Sequence, residues 1–255
     1  MRIGIFDSGI GGLTVLAEAI KKYPQGEFIY FADTGNVPYG TKSKEEVKEL
    51  VLKAADFLDK KHINALLVAC NTATSIGIEE LRRKYDYPVI GMEPAVKTAL
   101  KKDDNKKVLV MATALTLKED KFRKLVHITG GDSRVEGLPM PGLVLFAEKK
   151  NFQGQEVEEY IRNSLSVFDL KEFSTLVLGC THFIYFKDLI KRVLPDNIDI
   201  IDGNEGTVKN LISKLGEDEK EKSDKDKIEY YSSSKDFLKG DFEEYLSYLQ
   251  KEGSV

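Results

Sequence analysis

Ala65-Leu-Leu-Val-Ala-Cys70-Asn71-Thr72 and Thr175-Leu-Val-Leu-Gly-Cys180-Thr181-His182 have the same build: an apolar run that stops at a cysteine and gives way to small polar side chains. These are the chain's only two cysteines. An apolar run of this length, ended abruptly by hydrogen-bonding residues, is the pattern of a buried parallel strand that stops at a loop. Ligands of open α/β sheets bind at such strand ends. Two thiols in equivalent settings, one in each half of the chain, therefore predict a pseudo-symmetric site with a thiol on either side. Such a site suits a reaction that treats both faces of one atom alike.

Outward from these runs, the chain alternates short β-branched stretches with longer amphipathic ones. Strands are expected at 3–6, 28–32, 65–69, 89–92, 107–111, 132–138, 176–179 and 198–202. Helical patterns, with apolar residues three and four apart, cover 13–22, 43–61, 74–85, 94–102 and 154–168. This alternation predicts βαβ units and parallel sheets. A polar break at 101–107 separates a first block from a second that begins again with a strand. A hydrophilic run at 217–227 precedes a final segment, 228–250, whose Phe237, Leu238, Phe242, Tyr245, Leu246 and Leu249 can form one apolar helical stripe packing back on the first block.

With 255 residues, the chain can form one large domain or two of roughly 100 to 150 residues, each with a proper core. The 38 Lys and Arg face 42 Asp and Glu, a formal charge of -4. That balance argues against a broad polyanion-binding surface, so no nucleic-acid partner is expected. No apolar stretch approaches the ~20 residues of a membrane span, and Met1 runs straight into Arg2-Ile-Gly-Ile-Phe6 without an export signal, so no membrane partner and a cytoplasmic location are expected. In a reducing compartment a structural disulfide between Cys70 and Cys180 is disfavoured. Zinc held by Cys70, Cys180 and His182 is an alternative, but neither a CxxC nor an HxxxH pair supports it, and no metal is expected.

Asp7-Ser8-Gly9-Ile10-Gly11-Gly12 follows the first strand and opens a helix. Glycines at such a turn let the backbone approach a ligand, and a helix N-terminus favours a carboxylate. The spacing is not GxGxxG, so a dinucleotide is not indicated. Asp7 and Ser8 could simply cap the helix, but an Asp beside a thiol can also orient it or share its proton. A second loop, 33–41, carries Pro38, Tyr39, Gly40 and Thr41; its turn residues explain its geometry, and its hydroxyl and amide groups serve a ligand if it faces the cleft. A lone buried cysteine is commonly a small hydrophobe. Asn71-Thr72 beside one thiol and Thr181-His182 beside the other weigh against that, since these are poor core material and good proton or carboxylate partners. A free thiol titrates near ~8.5, so only a few per cent is thiolate at neutral pH unless a cation helps, and His182 can do that for Cys180. His62 and His127 sit in ordinary polar surroundings.

Phe6-Asp-Ser-Gly-Ile-Gly-Gly-Leu13, Val37-Pro-Tyr-Gly-Thr41, Ala69-Cys-Asn-Thr-Ala73 and Leu178-Gly-Cys-Thr-His-Phe183 together resemble the glutamate racemases of the aspartate/glutamate racemase superfamily, in the right order over residues 1 to about 207. The resemblance implies two pseudo-symmetric parallel-sheet α/β domains with the active site in the cleft between them, here 1–96 plus 208–255 and 97–207. It implies a cofactor-independent amino-acid racemase, with no pyridoxal lysine, acting on a small-molecule substrate, L- or D-glutamate, for the bacterial cell wall. By matching positions Cys70 would deprotonate the D-enantiomer and Cys180 the L-enantiomer. Asp7 would assist Cys70, while His182 and Glu148 would assist Cys180. Asp7, Ser8, Pro38, Tyr39, Gly40, Asn71, Thr72, Thr181 and His182 would hold the amino acid. A homodimer is the assembly the family favours.

The resemblance loosens in the second block. Where relatives often show Gly-Thr-x-x-Thr-Val-x-Ser, this chain has Ala112-Thr113-Ala-Leu-Thr116-Leu-Lys-Glu119. Thr113 and Thr116 are kept as expected carboxylate ligands, and Glu119 replaces the serine. Pro-x-x-x-Pro-x-x-Glu appears as Pro141-Gly-Leu-Val-Leu145-Phe-Ala-Glu148, without the second proline, which leaves Glu148 between a role at the site and a surface charge. Three rival functions share many of these motifs: a racemase of aspartate or another acidic amino acid, a one-thiol decarboxylase or isomerase, and a two-lobed protein that clamps an anionic metabolite without changing it.

Overall fold

The apolar runs pair side by side into two parallel sheets. The computed structural model describes residues 1–103, 105–216, 228–237 and 239–251; the hydrophilic run 217–227 and Leu238 lie outside the described residues. The strands are β1 (Arg2–Asp7), β2 (Glu27–Ala32), β3 (Ala65–Val68), β4 (Val89–Gly91), β5 (Lys107–Ala112), β6 (Val135–Pro139), β7 (Phe173–Leu178), β8 (Asp199–Asp202) and β9 (Ile228–Ser232). The first sheet has the order β4-β3-β1-β2-β9 and the second β6-β5-β7-β8. Among the described residues every pairing is parallel.

Helices α1 (Leu13–Lys22), α2 (Lys44–Asp59) and α3 (Asn71–Lys84) connect the first sheet. The short α4 (Val96–Leu100) leads into the second, whose strands alternate with α5 (Ala114–Lys118), α6 (Asp120–Ile128), α7 (Pro141–Glu148), α8 (Gln155–Leu165) and α9 (Lys187–Val193). After β8, α10 (Asn204–Leu215) returns to pack on α1, and α11 (Lys239–Lys251) also packs there. The chain thus leaves the first sheet between Gly91 and Val96 and returns between Asp202 and Asn204. The largest apolar cluster is continuous through both halves, from Ile3 and Leu13 to Met111 and Phe183.

Local chemistry accounts for the ends of the elements. Ser43 caps α2 by accepting from Glu46 N–H at 3.1 Å, and Glu45 and Glu46 complement the positive end of its dipole. Pro141 opens α7, where a missing N–H costs nothing. Several expected boundaries move. Helix 74–85 begins three residues earlier at Asn71, because Cys70 itself caps it, its Sγ accepting from Ala73 N–H at 3.4 Å. Strand 132–138 begins at Val135, because Arg134 and Val135 donate to the Gly131 carbonyl in a turn. Strand 176–179 starts earlier, at Phe173. Helix 94–102 contracts to Val96–Leu100, and 154–168 to Gln155–Leu165.

The final segment, for which only the helical stripe of Phe237 to Leu249 is expected, starts as a strand, β9, pairing with β2 from Phe28↔Ile228 to Ala32↔Ser232. Ile-Glu-Tyr-Tyr-Ser favours a strand, and the open edge of β2 supplies its ladder. Only afterwards does the aromatic stripe turn helical: Phe242, Tyr245, Leu246 and Leu249 are buried. Phe242 stacks on Tyr230, ring centroids 5.0 Å apart, and meets Tyr30 edge-on at 5.7 Å. Phe242→Ala removes the side chain that joins α11, β9 and β2, and is expected to lower unfolding free energy by about 3–5 kcal/mol, read from the midpoint of a urea titration.

Candidate active site

The carboxyl ends of both sheets face one crevice. In the first sheet β2 and β3 lie on opposite sides of β1, and in the second β6 and β7 flank β5. Each arrangement is a topological switch point, where loops diverge and leave a crevice. β1 delivers Asp7 and Ser8 to it, β2 the 33–41 loop, and β3 Cys70. From the opposite side β5 delivers Thr113, β6 Pro141, and β7 Cys180.

The two cysteines occupy equivalent positions. Ala69 N–H donates to Phe6 C=O at 2.8 Å, and Gly179 N–H donates to Met111 C=O at 2.7 Å. Each bond carries a parallel ladder one residue beyond its strand, and a cysteine follows. Both thiols are free and buried, and both line a cavity of about 20 Å³, room for a water but not for an amino acid.

That cavity wall includes Ser8, Pro38, Tyr39, Gly40, Cys70, Asn71, Thr72, Thr113, Cys180 and His182 among the residues expected at the site. Asp7, Glu148, Thr116 and Thr181 lie behind it. Thr116 is fully buried and bonds to Thr72 at 3.1 Å and Thr113 at 2.9 Å; Thr72 and Thr113 are themselves 2.9 Å apart. The three hydroxyls form a triangle joining α3 of the first sheet to α5 of the second.

Asp7 does not cap α1, whose N-cap is Gly12. Its Oδ1 accepts from Gly9 N–H at 2.9 Å and its Oδ2 from Thr181 Oγ1 at 3.1 Å. Burial raises the Asp7 carboxyl to about 6, against the opposing pull of His182, the Gly9 amide and the Thr181 hydroxyl. Burial, with the Asp7 carboxylate adding to it, pushes the Cys70 thiol up to about 12; the Ala73 amide and the Ser8 hydroxyl, 3.6 Å from Sγ, only partly oppose this.

The other thiol has a different environment. His182 places Nδ1 3.8 Å from Cys180 Sγ and Nε2 2.7 Å from Glu148 Oε1. Burial works against a charged imidazole, but the hydrogen bonds and charges of Cys180 and Glu148 outweigh it and raise its pKa well above the usual value. Glu148 is therefore a partner of His182. The missing second proline does not disturb it, since Leu145 points outward from α7 and is half exposed. Glu119, in place of serine, is buried and bonds to Lys44 Nζ at 2.6 Å across the two halves.

Some residues of the site carried no signal that the sequence reading used. Val144 lines the cavity one turn into α7; its spacing of three from Pro141 after a strand end is the signal that could have found it. Asp33 is buried and holds Tyr39 by accepting its hydroxyl at 2.6 Å. Tyr30 and Tyr185 donate to the carbonyls of Gly9 and Ile10, at 2.7 and 3.1 Å. The glycines permit the crowding: a Cβ on Gly9 would lie 1.9 Å from Glu148 Oε1, and one on Gly11 2.5 Å from His182 Nδ1.

The family model for Asp/Glu/hydantoin racemases matches residues 8–211. The chain belongs to the Asp/Glu/hydantoin racemase family. It is 56% identical over 211 residues to a glutamate racemase of Halothermothrix orenii, covering 83% of each chain. The crystal structure of glutamate racemase from Campylobacter jejuni superposes with a TM-score of 0.84 at 31% identity, over 97% of this chain and 98% of that one. The Escherichia coli glutamate racemase, solved with L-glutamate and an activator, also gives a TM-score of 0.84, at 28% identity over 98% of this chain and 94% of that one. This family member is accordingly an isomerase, an amino-acid racemase.

The raised Asp7 carboxyl has a cost for folding. Between about 3.8 and about 6 the folded chain keeps a proton that the unfolded chain has released, so stability falls as pH rises through that window and the loss is complete above it. Asp7→Asn removes the titration. It is expected to raise unfolding free energy by about 2–3 kcal/mol at pH 8, with the gain shrinking as pH falls towards 4, measured by urea titration at each pH.

Proposed function

We propose that this protein interconverts L- and D-glutamate without a cofactor, passing the Cα proton between Cys70 and Cys180. The observation that carries the reading is the pair of thiols on one cavity, each following an equivalent ladder bond of its own sheet. In this reading residues 1–96 with 208–255 form one lobe, 97–207 form the other, and the substrate lies between them. The names of the relatives support glutamate as the amino acid.

From L-glutamate, the Cys180 thiolate takes the Cα proton and the electron pair moves into the adjacent carboxylate. The Cys70 thiol then gives its proton to the opposite face of Cα and the pair returns, forming the D-enantiomer. Cys180 is left as thiol and Cys70 as thiolate, and exchange with water resets them. From D-glutamate the roles reverse. Two features favour this assignment for the resting site: the His182 ring, whose Nδ1 lies 3.8 Å from Cys180 Sγ and can exchange a proton with it, and the strongly raised Cys70, which stays a thiol ready to donate. Asp7 assists Cys70, and Glu148 assists Cys180 by holding His182. Hydroxyl and amide donors of Ser8, Asn71, Thr72 and Thr113 hold the amino acid and stabilise the charge that develops on its carboxylate in a site shielded from water, while the Thr181 hydroxyl is committed to Asp7. The protein works as a cytoplasmic homodimer and supplies D-glutamate for peptidoglycan.

In heavy water, metal-free and pyridoxal-free protein is expected to abolish the circular dichroism of L-glutamate while Cα acquires deuterium, followed by NMR. Cys70→Ser and Cys180→Ser are each expected to slow this by about a hundredfold to ten-thousandfold while glutamate still binds. Full activity in either variant rejects the two-thiol mechanism, faster turnover of L-aspartate rejects glutamate as the substrate, and binding without exchange makes the protein a clamp rather than an enzyme.

A further inference from the structure

The peptide unit joining Gly9 to Ile10 is held at both ends. Its carbonyl, on Gly9, accepts from Tyr30 Oη at 2.7 Å. Its N–H, on Ile10, donates to Glu148 Oε1 at 2.9 Å, the same oxygen that contacts His182 Nε2 at 2.7 Å. A peptide group is planar and trans, so its C=O and N–H point in opposite directions and turn together. Fixing the carbonyl fixes the direction of the N–H. A donor on the carbonyl also polarises the group and strengthens its N–H as a donor in turn.

Tyr30 is fully buried on β2, and its ring belongs to the core beside Phe242. Its hydroxyl lies near Gly12, where a Cβ would come within 2.9 Å of it. Packing explains the ring; the hydroxyl has a polar task that a phenylalanine could not perform. We propose that Tyr30 is a positioning residue for the Cys180 half of the site, acting through the Gly9–Ile10 peptide to orient Glu148, and through Glu148 the His182 ring. Tyr185 supports the same loop from the other side by holding the next carbonyl, that of Ile10. The inference rests on the two-thiol reading, because it assigns Tyr30 a purpose in the chemistry of Cys180.

Tyr30→Phe keeps the ring and deletes the hydroxyl. At matched folded fraction, checked by thermal melting, kcat is expected to fall about fivefold to tenfold with KM nearly unchanged. In a Glu148→Ala background the same change is expected to lower kcat by less than about twofold, because no side-chain oxygen remains to link the Ile10 amide to His182. Equal losses in both backgrounds mean that Tyr30 only stabilises the fold, and overturn the proposal. A second readout needs no substrate. The protein has three histidines, so the His182 ring can be followed by nitrogen NMR in the ligand-free protein, where the titratable groups facing it are Cys180, Glu148 and Asp7. Tyr30→Phe is expected to displace its titration midpoint by about half a pH unit; coincident curves overturn the proposal. If the unaltered protein fails to racemise glutamate, the functional reading falls, while the ring titration still decides the role of Tyr30.

Discussion

Two backbone hydrogen bonds, Ala69 N–H to Phe6 C=O and Gly179 N–H to Met111 C=O, set the spacing on which the site depends. Each extends a parallel ladder just far enough that the next residue, a cysteine, leaves the sheet at its carboxyl edge. Side chains alternate between the faces of a strand, so a slip of one residue would turn each thiol away from its partner. The second sheet tolerates little adjustment at this point: a Cβ on Gly179 would sit 2.9 Å from the Met111 carbonyl and 3.2 Å from Ala112 Cβ. Pseudo-symmetry at the level of the ladder is thus converted into two sulfurs on one cavity.

The symmetry stops at the strand ends. Cys70 opens a regular helix and has a carboxyl group as its titrating neighbour, whereas Cys180 opens a 3-10 turn and has an imidazole. Burial near a carboxylate pushes one thiol up to about 12, while the other has, 3.8 Å away, an imidazole whose pKa is raised. The proposed two-sided proton transfer would use that difference, because one group must be ready to take a proton when the other is ready to give one. The buried charges that create it are costly unless partnered. The loop 7–12 supplies much of the partnering, with its Gly9 and Ile10 amides on Asp7 and Glu148 and its Gly9 and Ile10 carbonyls on Tyr30 and Tyr185.

The sheets and the cysteines were legible because buried parallel strands write continuous apolar runs, and because small polar residues after them stand out. β9 was less so: Ile228-Glu-Tyr-Tyr-Ser has no such contrast, and it becomes a strand because β2 offers an edge far away in the sequence. The same holds within the site. Asp7, His182 and the cysteines announce themselves by chemistry and position. Tyr30 and Tyr185 read as core, since sequence shows the apolar ring and not where the hydroxyl goes. Glu148 remained open between site and surface until the fold set it against His182, and the residue that departs from the family pattern beside it, Leu145, proved to lie on the outer face of α7. Glu119 is another substitution with a local partner, Lys44, which the sequence places 75 residues away.

The cavity between the thiols is about 20 Å³, and its walls come from both halves. Several contacts join the first sheet to the second around it: the hydroxyls of Thr72, Thr113 and Thr116, the Lys44–Glu119 ion pair, Thr181 on Asp7, and Glu148 on the Ile10 amide. The last two also fix the Asp7 and Glu148 carboxyl groups. Donors aimed at a carboxylate act most strongly where no solvent competes with them, and these contacts keep the cavity enclosed. The ion pair and the hydroxyl triangle join the two halves through groups other than the sulfurs, so the halves are held together independently of the thiols.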